Sequence, residues 1–480
     1  MKVEVKQVGL AESGADLVVV GAYEGAELPA PVAAAPGGDE AKAGFKKLSL
    51  LRPQDFPPVV VVGLGNRDEL EPERLRVAAA VAAKEAARLE VASLAWALPE
   101  SDAPLAATEA ETEAIVTGTI LASYRFDRFK SGDGEDSARL DSLTLLGPAE
   151  MESAAETARV AAEAQNRARD LQSTPANVAT PTFLAERAGE IAAAAETVTA
   201  EVLGRPELEE KGMGGILAVS QGGPQEPKLI LLRYSGGGSG PTLGLVGKGV
   251  TFDTGGISLK PGAGMPDMKM DMSGAAAVLE AIAAIAELEL PVNLIGVVPS
   301  TENMPSGTAI KPGDVITQYD GTTVEVNNTD AEGRLILADA LAYAIELGAE
   351  RLVDLATLTG AVVIALGSTY AAVISNDDAL AAEVSEAGER SGELTWRLPL
   401  HPEYKELMKG KVADLSNLAS KRKAGTITAG SFLEEFVGET PWAHVDIAGT
   451  AWDVGRPYVG SGASGFGVRL LVELARHSAS

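Results

Sequence analysis

The sequence predicts an α/β protein of two domains: a small N-terminal α/β domain over residues 1–150 and a larger C-terminal α/β/α domain over 173–480 on a mixed central sheet. A connecting helix over 151–172 joins them. Three observations carry this reading. At 480 residues the chain is long enough for two or three domains and a large core. Strand-like apolar runs alternate with helical periodicities along most of its length. Between the two series lies an Ala/Glu/Arg stretch, 151–171, which breaks at Thr174-Pro175.

In order, residues 2–8 and 16–22 alternate or run apolar, as strands do. The segment 24–44, rich in Ala, Pro, Gly and Glu, reads as a loop. Residues 58–65, Pro-Val-Val-Val-Val-Gly-Leu-Gly, form a buried strand that meets a glycine turn. A helix over 71–90, a strand over 91–98, a helix over 105–124 and a strand over 140–146 follow, implying a largely parallel sheet. Beyond Pro181 come a helix over 182–196 and strands over 197–203, 228–234 and 242–250. Gly236–Gly240 is a turn between the last two. A helix over 274–286 with Ser273 as its N-cap, a strand over 292–298, a hairpin over 314–326 turning at Asp320-Gly321, a helix over 335–347 and a strand over 351–356 continue the series. Helices over 378–390, near 430–437 and over 468–477 complete it, with no internal repeat.

Two stretches concentrate the chemistry. Asn327-Asn-Thr-Asp330-Ala-Glu332-Gly-Arg334-Leu335 sits where the hairpin hands over to a helix. If it is extended, Asp330, Glu332 and Arg334 point the same way and converge. The second stretch, residues 243–261, begins as a buried strand and dissolves into glycine, carrying Lys248, Asp253 and Lys260. Asp271 follows just before the apolar helix. Carboxylates crowded at element ends repel one another and take up protons unless a counter-charge is present. Two divalent cations would balance four of them, and a water bridging ions ~3.5–4 Å apart ionises near neutral pH and attacks a carbonyl. Spacing alone would make Lys248 a structural or phosphate-binding lysine.

Composition excludes several alternatives. Apolar residues at 46% and charged residues at 22% describe a folded rather than a disordered chain. The absence of cysteine removes disulfides, thiolate metal sites and a cysteine nucleophile. The three histidines, His401, His444 and His477, form no His-Glu-x-x-His pattern and read as structural. A net charge of −28 argues against nucleic-acid binding. No apolar run approaches the ~20 residues of a membrane span, and Met1-Lys-Val-Glu-Val-Lys reads as a strand rather than a signal peptide, so the expectation is a cytoplasmic protein. Asp68 stands where a dinucleotide fingerprint after Gly63-Leu-Gly65 needs glycine. Thr242 and Gly249 break a P-loop around Gly247-Lys248, and there is no Gly-x-Ser-x-Gly elbow.

The motifs Asn328–Leu335 and 246–261 resemble the leucine aminopeptidase family, the two-metal cytosolic aminopeptidases. The stretches 169–177, 267–276, 356–361 and 443–452 agree, so the likeness covers roughly 165–475 and leaves the first 150 residues without a signature. The resemblance implies a catalytic metallopeptidase domain at 173–480. It places one metal on Asp253, Asp330 (side chain and carbonyl) and Glu332, and a second on Lys248, Asp253, Asp271 and Glu332. It makes Lys260 the group that polarises the scissile carbonyl, and Arg334 the holder of a bicarbonate acting as general base. Met268, Thr357, Gly360 and Ala451 correspond to an apolar pocket for leucine-like side chains. The implied cofactors are two Mn²⁺ or Zn²⁺ ions and bicarbonate. The implied substrates are peptides, and the implied assembly is a homohexamer, a dimer of trimers. An inactive metal-storing module is the rival, but storage has no use for Lys260 and Arg334. Asp414 and Asp446 are expected to be satisfied polar groups without a catalytic role.

Overall fold

The computed structural model describes residues 1–54, 56–97, 105–131 and 139–478. Leu98, the last residue of the expected strand over 91–98, lies outside them. Two compact units emerge: Met1–Asn166 with Gly455–Gly460, and Arg167–Val454 with Ser461–Ser480. The helix Glu152–Ser173 contains the division, between Asn166 and Arg167.

In the first unit, β1 (Lys2–Lys6), β2 (Leu17–Tyr23), β3 (Leu48–Leu51), β4 (Val59–Gly65), β5 (Ser93–Ala97) and β6 (Ser142–Leu146) form a sheet in the order β1-β6-β5-β2-β4-β3. Every pairing is parallel except β3 with β4. The unbroken apolar run of β4 is buried throughout, as a parallel strand covered on both faces must be. The helix Pro72–Arg88 buries an alanine-rich face. Gly118 of the helix Leu105–Ala122 lies so close to it that an added Cβ would sit 2.2 Å from the Arg76 carbonyl oxygen. Two elements differ from expectation. The short helix Ala30–Ala33 falls within the expected loop, and β3 lies just beyond it, four residues too short to give a period.

The second unit is built on β7 (Val198–Leu203), β8 (Lys228–Ser235), β9 (Thr242–Gly247), β10 (Gly249–Asp253), β11 (Asn293–Asn303), β12 (Asp314–Thr317), β13 (Thr323–Val326), β14 (Arg351–Ala356), β15 (Ala371–Ser375), β16 (Thr395–Arg397), β17 (Leu415–Ser416) and β18 (Trp442–Asp446). Among the described residues, nine of these form one sheet, ordered β16-β15-β18-β14-β9-β11-β8-β7 with β10 beside β11. It is mixed, as expected: β18, β14, β9 and β11 run parallel, while β8, β7 and β15 join antiparallel. The hairpin β12–β13 pairs with β17 in a separate small sheet. Its turn passes through Gly321 at φ +92°, a left-handed position that favours glycine.

Where the sequence reads one strand over 242–250, the chain breaks at Lys248 into β9 and β10. Lys248 leaves the ladder, its N–H donating to the Leu355 carbonyl at 3.1 Å and its carbonyl accepting from Ala275 N–H at 2.9 Å. The helix Ser273–Glu287 fits against this break because Gly274 has no side chain, since a Cβ there would lie 2.0 Å from the Leu355 oxygen. Ser273 is not its N-cap. It is the first helical residue, its hydroxyl donating back to the Met270 carbonyl, and no side chain caps the helix. Met268, Met270 and Met272 lie on a 3₁₀ helix, Met265–Met272. The expected helix near 430–437 runs Gly425–Glu434. No helix among the described residues is long and apolar enough to cross a membrane.

Candidate metal centre

Lys248, Asp253, Asp271, Asp330 and Glu332 are brought to one place, at the carboxyl ends of parallel strands where ligands of open α/β sheets gather. Asp253 ends β10 and is 2% exposed. Its Oδ1 accepts from Gly255 N–H at 2.9 Å and from Asn303 Nδ2 at 2.8 Å, leaving Oδ2 to the Lys260 ammonium at 2.8 Å. The chain then turns through Gly255 and Gly256 with φ of +86° and +64°. That turn returns Lys260, whose ammonium also pairs with Asp330. Asp271 lies in the last turn of the 3₁₀ helix and accepts from Thr357 Oγ1 at 2.6 Å and from Lys248 Nζ at 2.9 Å. Lys248 Nζ reaches Glu332 Oε1 at 2.8 Å and the Thr357 carbonyl at 3.0 Å.

One oxygen each from Asp253, Asp330 and Glu332 lie within 4.8 Å of one another. Glu332 Oε2 is buried and has no hydrogen-bond partner. A carboxylate oxygen left so in a protein interior costs free energy unless a cation uses it. The all-oxygen donors, with one amine alongside, suit a hard or borderline divalent ion, so the residues fit a metal.

Electrostatics agree. Burial, reinforced by the charge of Asp253, pushes the Glu332 carboxyl well above its ordinary range. Burial likewise raises Asp271 against the pull of Lys248, and raises Asp330 against Lys260. Burial alone would depress the Lys248 and Lys260 ammonium groups, but the surrounding acids outweigh it and hold both above the usual lysine range. Two lysines thus neutralise part of a cluster whose acids otherwise resist ionising.

Arg334 departs from the expected arrangement. The segment is not extended: Asp330 lies in a turn, Glu332 has helical angles (φ −76°, ψ −35°) and Arg334 occupies the first turn of the helix Gly333–Glu346. The common-face argument therefore fails for Arg334. Arg334 is 8% exposed, and its guanidinium donates through Nη1 to the Asn417 carbonyl at 2.8 Å and leaves Nε without a partner. Burial pulls its pKa down to about 10.

Of the remaining residues, Thr357 is tied directly to Asp271. Met268 sits half-buried on the same 3₁₀ helix as Asp271. Gly360 starts the helix Gly360–Leu366, with open space where a Cβ would be. Ala451 is fully buried, and its neighbour Trp452 stacks under Lys269 of the 3₁₀ helix at 5.5 Å. Three orienting residues went unread in the sequence. Asn303 ties Asp253 to the Thr329 carbonyl, Thr329 bonds the Gly255 carbonyl and Ser258 N–H, and Asn417 binds the backbone of 327, 328 and 331. Asn303 and Asn417 are lone polar residues outside every motif singled out above, whereas Thr329 lies inside the Asn328–Leu335 motif beside the more conspicuous acids. His444 is buried against Asp354 at 2.6 Å and His401 caps a short helix. Asp446 and Asp414 accept hydrogen bonds from Thr359 and Thr323 respectively.

The profile of the cytosol aminopeptidase family's catalytic domain matches residues 166–472, and that of its N-terminal domain matches 40–133. The chain belongs to the cytosol aminopeptidase family. A probable cytosol aminopeptidase of Roseiflexus castenholzii is 45% identical over 99% of both chains. One of Geobacter sulfurreducens is 49% identical over 86% of this chain and 84% of its own. Among solved structures, the bottromycin maturation enzyme BotP in complex with Mn superposes with a TM-score of 0.89 at 36% identity, covering 97% of this chain and all of its own. A point mutant of tomato leucine aminopeptidase gives 0.88 at 34%, covering 99% and 96%. The cytosol aminopeptidase family is metal-dependent, and this chain is a metallo-aminopeptidase, an exopeptidase of the hydrolase class. The family resemblance read from the motifs and the two-domain α/β architecture read from the alternation of strands and helices are borne out.

Proposed function

We propose that the chain removes leucine and other apolar residues from peptide N-termini with two divalent cations, Mn²⁺ or Zn²⁺, in a cytoplasmic homohexamer. The observation that carries this is the approach of Asp253, Asp330 and Glu332 within 4.8 Å around a buried, unpartnered Glu332 oxygen. Asp253, Asp330 and Glu332 would hold one ion, with the Asp330 carbonyl, and Lys248, Asp253, Asp271 and Glu332 would hold the other. Bound there, the ions would activate a water and act as a Lewis acid for the scissile carbonyl. Lys248 ligates only as a free amine, so uptake of the second ion must displace the proton its acid neighbours now favour. Lys260 donates to the oxyanion that develops on the carbonyl. Arg334, with its planar fork and an Nε that has no partner, would hold a bicarbonate, which would supply the general base. Met268, Thr357, Gly360 and Ala451 line the pocket for the departing side chain, whose selectivity per methylene is only about 1–3 kcal/mol.

The test is hydrolysis of a leucyl chromogenic substrate after dialysis against Mn²⁺ or Zn²⁺. The free amine form is hydrolysed and its N-acetyl counterpart is inert. Equal hydrolysis of both contradicts an exopeptidase that anchors the amine.

Gly333 offers a subtler check. A Cβ there would stand 2.7 Å from Lys248 Cε and 2.9 Å from its Nζ, pushing the amine out of the cluster. Gly333→Ala should keep the fold yet lower affinity for one metal by roughly 10–100-fold, as loss of ligand positioning does. A metal titration checks this, and unchanged affinity removes Lys248 from the ligand set.

A further inference from the structure

Arg334, besides adjoining the acid cluster, forms part of the wall of a cavity of about 420 Å³ between the helix Gly360–Leu366 and the loop that leads into the helix Gly425–Glu434. Three consecutive cations of that loop, Lys421, Arg422 and Lys423, line the cavity, and no carboxylate does among the described residues. All three are exposed and none has an ion-pair partner among the described residues. On a chain of net charge −28 this is a local inversion of charge. The loop ends at Ala424 with φ +49°, strained for a residue with a side chain, and the helix it opens has no side-chain cap. Its first-turn N–H groups add to the positive character of the wall.

We propose that this cavity receives a carboxylate on the leaving half of the substrate, either the C-terminus of a short peptide or an acidic side chain, so that short and acidic-tailed peptides are the preferred substrates. The inference rests on the aminopeptidase reading. None of Met268, Thr357, Gly360 and Ala451, assigned to the departing side chain, lines the cavity, and Arg334 connects it to Glu332 two residues away. Chain continuing past the scissile bond on the Arg334 side therefore enters it. One further residue carries a carboxylate roughly 3.5 Å onward, within the reach of the cations. Exposed cations act mainly by focusing charge, and salt screens them.

The test uses the full-length, metal-loaded protein and ratios of kcat/KM, which normalise for fold and metal content. Leucyl-glycine against leucyl-glycinamide reads the terminal carboxylate. Leucyl-aspartyl-amide against leucyl-asparaginyl-amide reads the side chain. At low salt the charged member of at least one pair should be favoured roughly fivefold, as a few exposed ion pairs allow. The preference should shrink at high salt and fall towards one in K421Q/R422Q/K423Q. Ratios near one in the unaltered protein, or ratios untouched by the triple variant, overturn the proposal alone. Failure to hydrolyse any of the four overturns the aminopeptidase reading and this proposal with it.

Discussion

Asp253→Ala abolishes hydrolysis and removes metal together. Asp253 is one of the two carboxylates, with Glu332, on which both proposed ions depend, and its oxygens are fixed by Asn303, the Gly255 N–H and Lys260. A metal Lewis acid contributes several kcal/mol to transition-state stabilisation, so kcat/KM should drop by about a thousandfold or more. The fold should survive, because the lost acid lies at a strand end and Lys260 keeps Asp330 as a partner. Metal analysis beside kinetics on the same preparation checks both halves. Full metal occupancy in this variant would refute the ligand assignment.

Arg334→Ala gives the opposite dissociation: metal stays and turnover falls. The guanidinium hydrogen-bonds the Asn417 carbonyl rather than a carboxylate of the cluster, so its loss leaves the oxygen donors in place. A positioned general base is worth roughly 10²–10⁴-fold, and kcat should fall within that range with KM little changed. Truncation also strands a buried carbonyl at a cost of about 1–3 kcal/mol, so a lower denaturation midpoint is expected. Arg334→Lys keeps charge without the planar fork and should recover stability more than rate. Metal loss from Arg334→Ala would instead make it part of the ion-binding shell.

The alternation of strands and helices was legible because each domain buries a sheet between helices, which imposes strong periodicity. Short edge elements such as Leu48–Leu51 and Thr395–Arg397 were not, since three or four residues carry no period. The break at Lys248 was hidden inside a continuous apolar run. Its cause is tertiary, the approach of the glycine-bearing helix start at Gly274. The acids of the site stood out because they cluster in two short stretches. The direction of Arg334 did not, because a helix beginning at Gly333 replaces a period of two with one of 3.6. Asn303 and Asn417 act through backbone carbonyls and N–H groups that only folding brings near, and a single asparagine leaves no mark in the sequence.

The proposed function requires that cations, and not the two lysines alone, let these acids share a pocket. Elemental analysis of extensively dialysed protein, titrated back with Mn²⁺ or Zn²⁺ while hydrolysis is followed, tests that most directly. Two ions per chain, with activity rising in step and protons released as the second enters, is the expected result. A protein that takes up no metal, or that hydrolyses leucyl substrates equally well without it, would contradict the account.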